Sequence, residues 1–388
     1  MHLFRAHPAA GNAARRLPRV LVVPALAALT AALAVACGGG APPSTPAATA
    51  APATRAAATA AVTPAAETAT ATATPEPRAI TFMAGFRPQA NLPFVAVYVA
   101  EDEGFFADEG LTVDIQHSSG QDEHLKLLLD GTVHFTTGTA AQLLRRREDG
   151  LPVVGIALFG QRGDQGYVAR ADSGISGPAD FEGRSVGFKA GVVPAELVAM
   201  LATVGLTEDD VELVAVGFDP RTFIEGQVDV YPVFLDNEPD TIRRAGVEIT
   251  VIDPADFGVP TLGLTFLANA QTVSGDPELV RRFLRAAMRG ALWAEEHIDE
   301  AVQITLKRAE GADAEHQRFL LATDLENAQR ADGMGRADVQ QWRDLQALLV
   351  QYGVLTASAD LSGGFDGSFI DALYASGELS PAASTTGR

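Results

Sequence analysis

Short apolar runs alternate with longer amphipathic stretches through the middle of the chain. The pattern predicts a buried strand at 79–86 (AITFMAGF), a helix that opens after Pro93, and a second strand at 111–115 (LTVDI). Strand, helix and strand in this order favour parallel pairing with crossover helices. After Asp276 and Pro277, an N-cap followed by proline at the first helical position, the chain is predicted to be mainly helical.

The alternation predicts an α/β protein of two lobes, each a mostly parallel sheet flanked by helices. We expect one lobe to hold residues 79–168 and 262–388 and the other to hold residues 169–261. The strand-like segments GYVARAD and TLGLTFLAN are the predicted crossings between the lobes. Two crossings with a cleft between the lobes are typical of binding proteins that close about a hinge, and ligands in such sheets lie beyond the carboxyl ends of the strands.

The first 36 residues have the layout of a secretory signal. Four arginines precede an uncharged Leu/Val/Ala stretch at 20–36 that ends in small residues, directly before Cys37. The stretch resembles the signal of a bacterial lipoprotein, which is cut before a cysteine whose sulfur then carries a diacylglycerol. An uncleaved signal anchor is the alternative, and export by the twin-arginine route through Arg15 and Arg16 stays open. We therefore expect a lipid-anchored protein on the extracytoplasmic face of the cell membrane.

Residues 37–78 form a run of Ala, Thr and Pro without a large apolar side chain, and we interpret them as a flexible tether. A single cysteine permits no internal disulfide once it is acylated. The formal net charge of -20 excludes nucleic acid and anionic lipid headgroups as partners, so the acyl chains and not charge would hold the protein at the membrane. We expect a monomer with no cofactor and no metal ion.

Several quoted stretches together resemble one family. PFVAVYVAEDEGFFADEGLTVDI looks like its opening signature, VGFDPRTFIEGQVDVYPVF like its second-lobe unit, and PVVGIALFGQ and DSGISGPADFEGRSVGF fill the places between. The family is that of the solute-binding proteins of ABC importers for sulfonates, thiamine precursors and related small molecules, and the resemblance covers residues 79 to about 300. It implies a two-lobe periplasmic-binding-protein fold of type II, a small-molecule ligand and a membrane permease as partner.

Within that family the chain is most similar to the thiamine-pyrimidine and riboflavin branch. Pyrimidine binders typically carry Trp-Thr-Pro-Asn where this chain has Phe86-Arg87-Pro88-Gln89, and they favour a tryptophan where it reads YPVFLDNEP. The stretches RPQANLPF, GQRGDQGYV and VFLDNEPDT look most like riboflavin-uptake binding lipoproteins. The resemblance therefore implies a heteroaromatic vitamin, riboflavin first, with a thiamine pyrimidine or a sulfonate as alternatives.

A flat heterocycle is held between aromatic faces, while polar side chains at strand ends bind its edge. On that basis we expect twelve ligand-binding residues: Phe86, Gln89, Asn91, Thr137, Gln161, Arg162, Tyr167, Lys189, Asp219, Tyr231, Glu238 and Phe257. Phe94 is a further aromatic candidate. Some positions at these strand ends have plain structural alternatives: Gly138 and Thr139 could do no more than start a helix, and Asp219 could cap one.

An enzyme is the alternative from another class, because the fungal thiamine-pyrimidine synthases share this fold. Those enzymes use an active-site histidine, pyridoxal phosphate on a lysine and a cysteine-rich motif. The histidine position falls at Leu92 or Phe94 here, and Cys37 lies outside the predicted fold. A Walker loop and His-Glu-x-x-His are also missing from the sequence. The spacing of His117, His124 and His134 matches no single helical face. The sequence therefore favours a binding protein.

Overall fold

The computed structural model describes residues 76–120, 122–189, 191, 193–356 and 363–380. The predicted signal, the lipidation site Cys37 and nearly all of the predicted tether lie outside these residues. The strands are β1 (Arg78–Ala84), β2 (Leu111–His117), β3 (Phe135–Thr139), β4 (Val153–Leu158), β5 (Gln165–Arg170), β6 (Ser185–Phe188), β7 (Glu212–Ala215), β8 (Val230–Phe234), β9 (Ile249–Ile252) and β10 (Leu264–Asn269).

The helices of the described residues lie between the strands in the first two thirds of the chain and follow one another after β10. They are α1 (Leu92–Asp102), α2 (Phe105–Asp108), α3 (Glu123–Asp130), α4 (Ala140–Glu148), α5 (Ala195–Thr203), α6 (Arg221–Ile224), α7 (Glu238–Arg244), α8 (Ala270–Gly275), α9 (Pro277–Glu296), α10 (Ile298–Leu306), α11 (Ala314–Asn327), α12 (Val339–Gln351) and α13 (Ser368–Ala375).

The strands form two five-stranded sheets, ordered β2-β1-β3-β10-β4 and β7-β6-β8-β5-β9. In each sheet one strand, β10 or β5, runs antiparallel to both of its neighbours, and the other observed pairings are parallel. The two sheets repeat one topology, and the predicted α/β class with two lobes is confirmed.

The crossings between the sheets differ from the predicted segments. β5 pairs with β8 and β9, so GYVARAD lies in the second sheet and the predicted boundary at residue 168 falls inside a strand. The chain crosses at 159–164 and returns at 253–263. Hydrophobicity predicts that a segment is a buried strand, but it does not specify which sheet that strand joins.

The two crossing segments are bonded to each other. The Gly263 N–H donates to the Gly160 carbonyl at 2.9 Å, and the Gly160 N–H donates to the Leu264 carbonyl at 3.1 Å. A Cβ on Gly160 would lie 2.6 Å from the Gly263 Cα, so a side chain at Gly160 would force the segments apart. The hinge therefore consists of two closely packed segments of the one chain.

The core of the first lobe packs α1 and α9 against the first sheet. Phe283 of α9 stacks on Phe135 with 4.0 Å between ring centroids, and a Cβ on Gly290 would lie 2.1 Å from the Ala96 carbonyl oxygen of α1. The predicted helix start at Asp276 is confirmed, since its side chain accepts the Leu279 N–H at 3.1 Å. In the part of the chain that is described, no helix has the length and apolar character needed to cross a membrane.

Candidate functional site

A cavity of about 570 Å³ lies between the two sheets, and both lobes contribute to its walls. The first lobe contributes the segment after β1, the start of α1 and the end of β3. The second lobe contributes the segments that follow β7 and β8. The lining residues are Gly85, Phe86, Arg87, Gln89, Asn91, Phe94, His124, Thr137, Gly138, Thr139, Gln142, Asp164, Phe218, Pro220, Phe234, Asp236, Asn237, Glu238, Thr241 and Leu264.

A hydrogen bond joins the ends of β1 and β3 at the cavity wall. The Gly85 N–H donates to Thr137 Oγ1 at 2.9 Å, and a Cβ on Gly85 would lie 3.0 Å from that same oxygen. Glycine therefore allows the segment after β1 to approach the end of β3 closely. Thr139 completes the wall and starts α4 through a capping box with Gln142.

Aromatic rings reach the cavity from both lobes. Phe86 follows β1, Phe218 follows β7, and their side chains are 49% and 60% exposed. Phe94 in α1 and Phe234 at the end of β8 line the interior from opposite sides. Exposed phenyl rings in a cavity wall favour an apolar, flat ligand, because stacking removes their faces from water.

An ion pair supports the second-lobe wall. Lys189 Nζ lies 2.5 Å from Glu238 Oε1, and the other carboxylate oxygen of Glu238 accepts the Phe234 N–H at 2.7 Å. The same ammonium lies 5.1 to 5.4 Å from the ring centroids of Phe218, Tyr231 and Phe234. Burial lowers the pKa of Lys189, whereas the carboxylate of Glu238 opposes that change. The pair thus fixes the aromatic wall in one arrangement.

Three further carboxyl groups converge at one end of the cavity. Asn91 Nδ2 donates to Asp236 Oδ2 at 2.7 Å and to Asp324 Oδ2 at 3.3 Å, and Asp164 lines the cavity nearby. Burial raises the pKa of Asp164 to about 6 and that of Asp324 to about 7. Burial and the charges of Asp324 and Asp164 raise the pKa of Asp236 well above its usual range.

The charge balance of the cavity favours an uncharged or cationic ligand. Among the described residues that line it, Arg87 is the lone arginine or lysine, and its guanidinium lies over the Phe86 ring at the exposed rim. His124 is buried, which lowers its pKa and favours the neutral imidazole. An anionic ligand would meet the carboxyl groups of Asp164 and Asp236, which form no ion pair among the described residues.

Five of the twelve predicted ligand residues line the cavity, namely Phe86, Gln89, Asn91, Thr137 and Glu238. Two more stand behind its wall: Lys189 through its pair with Glu238, and Tyr231, which is fully buried and donates to the Gly217 carbonyl at 2.7 Å. Phe94, the additional aromatic candidate, also lines the cavity.

The other five predicted residues do not line this cavity. Gln161 and Arg162 lie in the first crossing segment, where Arg162 pairs with Asp253 and Asp256, and both line a separate shallow depression. Asp219 pairs with Arg221 at the surface, in keeping with its alternative capping role.

Tyr167 and Phe257 pack inside the second lobe. Tyr167 is 3% exposed and meets Phe181 edge to face, and Phe257 covers Gly177. An aromatic side chain near a strand end fits the sequence pattern whether it faces the core or the cleft.

Sequence reasoning missed Phe218, Phe234, Asp236 and Asp164, which all line the cavity. Phe234 and Asp236 directly follow or end β8, so the rule that ligand groups lie beyond strand ends would have indicated them. Asp324 carried no such signal, because it lies within α11, far along the chain from the residues it contacts. Across the described residues, no three His, Cys, Asp or Glu side chains are grouped as metal ligands.

Comparisons with known proteins agree with this architecture. A sequence profile described as "NMT1/THI5 like" matches residues 91–301. The riboflavin-binding protein RibY of Chloroflexus aurantiacus is 29% identical over 309 residues, which are 76% of this chain and 87% of RibY. A formylaminopyrimidine-binding protein of Halalkalibacterium halodurans is 27% identical over 69% of this chain and 83% of its own length. The resemblance read from the sequence is confirmed.

The fold is also that of solved binding proteins. The aliphatic sulphonate binding protein SsuA from Escherichia coli superposes with a TM-score of 0.60 at 13% identity, over 74% of this chain and 92% of that one. More distant relatives include a 4-amino-5-hydroxymethyl-2-methylpyrimidine phosphate synthase of Aspergillus parasiticus, which is 25% identical over 54% of this chain and 65% of its own. The binding proteins thus match more of the chain than this enzyme does.

Proposed function

The chain belongs to the NMT1/THI5-like family, and we propose that it captures riboflavin outside the cytoplasm and delivers it to the permease of an ABC importer. The observation that carries the proposal is the cavity lined by phenyl rings from both lobes, Phe86 and Phe94 on one side and Phe218 and Phe234 on the other. RibY, which matches over 76% of this chain, is named for the same ligand.

The chemistry of riboflavin fits these walls. Its isoalloxazine ring is flat and apolar on its faces, with a uracil-like edge of donors and acceptors and an uncharged hydroxylated tail. Ring faces stack on phenyl groups, while Gln89, Asn91 and Thr137 offer amide and hydroxyl partners. The cavity of about 570 Å³ falls within the range of sites that hold drug-sized ligands, roughly 300 to 1,000 Å³.

A formylaminopyrimidine is the second candidate, favoured by the relative that is 27% identical and named for it. It is also flat and uncharged, so the same aromatic walls and amides suit it. A sulfonate fits less well, because its fixed negative charge would face the carboxyl groups of Asp164 and Asp236, which form no ion pair among the described residues. Likeness to sulfonate-binding structures at 13% identity supports only the fold.

Fluorescence titration tests the proposal. The purified protein is unfolded, washed free of carried ligand, refolded and titrated with riboflavin. The expected result is saturable quenching of riboflavin fluorescence at one site, together with a melting temperature of the protein that rises with riboflavin concentration. No quenching and no thermal stabilisation would reject riboflavin. Calorimetry with a formylaminopyrimidine then tests the second candidate, and ethanesulfonate serves as the anionic control that should give no binding.

Anchoring and partners complete the proposal. Cys37 after the apolar stretch would carry the diacylglycerol, residues 38–77 would act as a tether, and the two closed lobes would present a joined surface to the permease. Ligand capture then works by shifting an equilibrium between open and closed arrangements of the lobes toward the closed one.

A further inference from the structure

A pair of carboxyl groups joins the two lobes beside the cavity. Asp236 follows β8 in the second lobe and is 6% exposed, while Asp324 lies on α11, which packs on α1 and α10 of the first lobe. Asn91 Nδ2 of the first lobe donates to both carboxyl groups, at 2.7 and 3.3 Å, so the two acids face each other around one amide. A hydrogen bond between two carboxyl groups requires one proton, because two carboxylates have no donor.

The surroundings of the pair favour that proton. Asp164 faces it from the first crossing segment, and Glu238 faces it from the first turn of α7, with its own charge balanced by Lys189. No arginine or lysine in the described part of the chain lies within ion-pair distance of Asp164, Asp236 or Asp324. Two ionised carboxylates would therefore repel each other at a site with little water.

The donors around the pair indicate where the proton resides. Asp324 Oδ2 accepts the Leu92 N–H at 2.8 Å and also receives Asn91 Nδ2, which stabilises its anion. Among the described residues of the first lobe, only Asn91 donates an N–H to Asp236. Burial raises the pKa of both groups, and the charge of Asp164 adds to that effect at each of them. Asp236 is thus the neutral acid that donates to the Asp324 carboxylate.

We propose that Asp236 and Asp324 form a proton-dependent latch between the lobes, so that closing over the ligand takes up one proton from solvent. When the lobes separate, each carboxyl group gains water and ionises. When they close, one O–H bond must form before the hydrogen bond across the cleft can be made. Asp324 is then a positioning residue, since it reaches the ligand only through Asp236.

A second titratable contact crosses the same interface and must be separated from the latch. His316 on α11 has Nδ1 at 2.8 Å from Asp240 Oδ2 and Nε2 at 3.1 Å from Asn237 Oδ1, both in the second lobe. Arg244 also pairs with Asp313 and Glu315 there, in exposed pairs that add little. Because His316 is another titratable side chain that bonds across the cleft near the latch, H316Q is the matched control.

The test is the pH dependence of riboflavin affinity from pH 5.5 to 8.5, which rests on the proposed function for its probe. In the wild-type protein, the dissociation constant is expected to rise as the pH increases through neutrality, by at most about tenfold per unit for one linked proton. D324N should flatten this dependence, because an amide can donate to Asp236 without a shared proton. H316Q should keep the wild-type slope.

Calorimetry counts the proton directly. Calorimetry at pH 7.5 in buffers of different ionisation enthalpy should show about one proton taken up per riboflavin bound in wild type and none in D324N. A wild-type affinity that does not change with pH, or a slope that D324N keeps and H316Q loses, would overturn the latch.

A ligand-free measurement separates the latch from the choice of ligand. Because closing takes up a proton, lowering the pH from 8.5 to 5.5 should shift the ligand-free protein toward closed lobes, seen in small-angle X-ray scattering as a smaller radius of gyration. D324N should lose this shift and H316Q should keep it. If riboflavin fails to bind at every pH but the shift is present, the proposed ligand is wrong and the latch stands. If riboflavin binds and the shift is missing, the latch is wrong and the ligand stands.

Discussion

Lys189 and Glu238 form a largely buried ion pair in the second lobe, with 2.5 Å between Nζ and Oε1 and side-chain exposures of 12% and 7%. The pair ties the segment after β6 to the first turn of α7. It also holds the ammonium among the rings of Phe218, Tyr231 and Phe234. The sequence indicated both residues as separate ligand contacts, and the structure joins them into one support for the cavity wall.

Breaking the pair on one side should be costly. K189M leaves the Glu238 carboxylate buried without its cation, and we expect the free energy of unfolding to fall by about 3 kcal/mol. The double variant K189M/E238Q removes both charges and should recover most of that loss. Urea unfolding of the ligand-free proteins measures both. A K189M protein as stable as wild type would show that the pair does not support the wall.

The exposed rings at the cavity rim should affect binding but not folding. F86A and F218A each remove one stacking face, and we expect riboflavin affinity to fall roughly two- to tenfold, from about 0.5 to 1.5 kcal/mol per stacked ring. Because the side chains are 49% and 60% exposed, the melting temperature of the ligand-free protein should change little. V339A is the matched control: Val339 is 65% exposed and lies on α12, outside the cavity wall. If F86A, F218A and V339A bound riboflavin with equal affinity, the rings of Phe86 and Phe218 would not be part of the binding site.

Asp164 should make stability depend on pH. Burial raises its pKa in the folded protein to about 6, above its value in the unfolded chain, so the folded state binds the extra proton. The contribution of this proton to the free energy of unfolding is fully present below the unfolded pKa of about 4. It is lost as the pH rises through the folded pKa of about 6. The unfolding free energy of D164N minus that of wild type should therefore be larger at pH 8 than at pH 5, by about 1 kcal/mol. Denaturant unfolding at the two pH values measures this difference, and an equal effect at both would contradict it.

The contact between α1 and α9 leaves no room for a side chain at residue 290. G290A places a Cβ 2.1 Å from the Ala96 carbonyl oxygen, so the helices must separate, and we expect a loss of about 1 to 3 kcal/mol in unfolding free energy. G275A is the control, because a Cβ on Gly275 has no neighbour within 4 Å. A G290A protein that unfolds at the wild-type denaturant concentration would contradict the observed packing.

Cys37 should decide where the protein is found. In a bacterium that processes lipoproteins, the wild-type protein is expected in the membrane fraction and C37S in the soluble extracytoplasmic fraction, since serine cannot accept the diacylglycerol. Incorporation of radiolabelled fatty acid measures the modification itself. Labelled C37S would contradict acylation at Cys37, whereas wild-type protein that takes up no label, keeps its full length and stays in the membrane would favour an uncleaved signal anchor.

The fold could be predicted because each element carries its own periodicity. Strand β1 and helix α9 were indicated by apolar runs and by the Asp276 cap, which depend on residues close in sequence. The sheet that β5 joins could not be predicted in this way. Its partners β8 and β9 lie more than 60 residues further along the chain, and its own apolar pattern would suit either sheet.

The site was predictable only where ligand groups follow strand ends. Gln89 and Thr137 were found by that rule. Tyr167 met the same rule yet packs into the core, since a strand's alternation does not tell which face borders a cleft. The contact of Asp324 with Asp236 depends on how a C-terminal helix packs across the hinge, which local sequence does not encode.

The two hydrogen-bonded segments at the hinge also limit how the lobes can move. A single connecting strand would let one lobe rotate about several axes relative to the other. Two segments that are hydrogen-bonded at Gly160 and Gly263 allow rotation mainly about one axis. Each closing movement then brings Phe86 and Phe218 to the same mutual position. A ligand too thick for the gap between these rings would therefore stop the lobes before they close fully, so the hinge would select ligands by thickness as well as by chemistry.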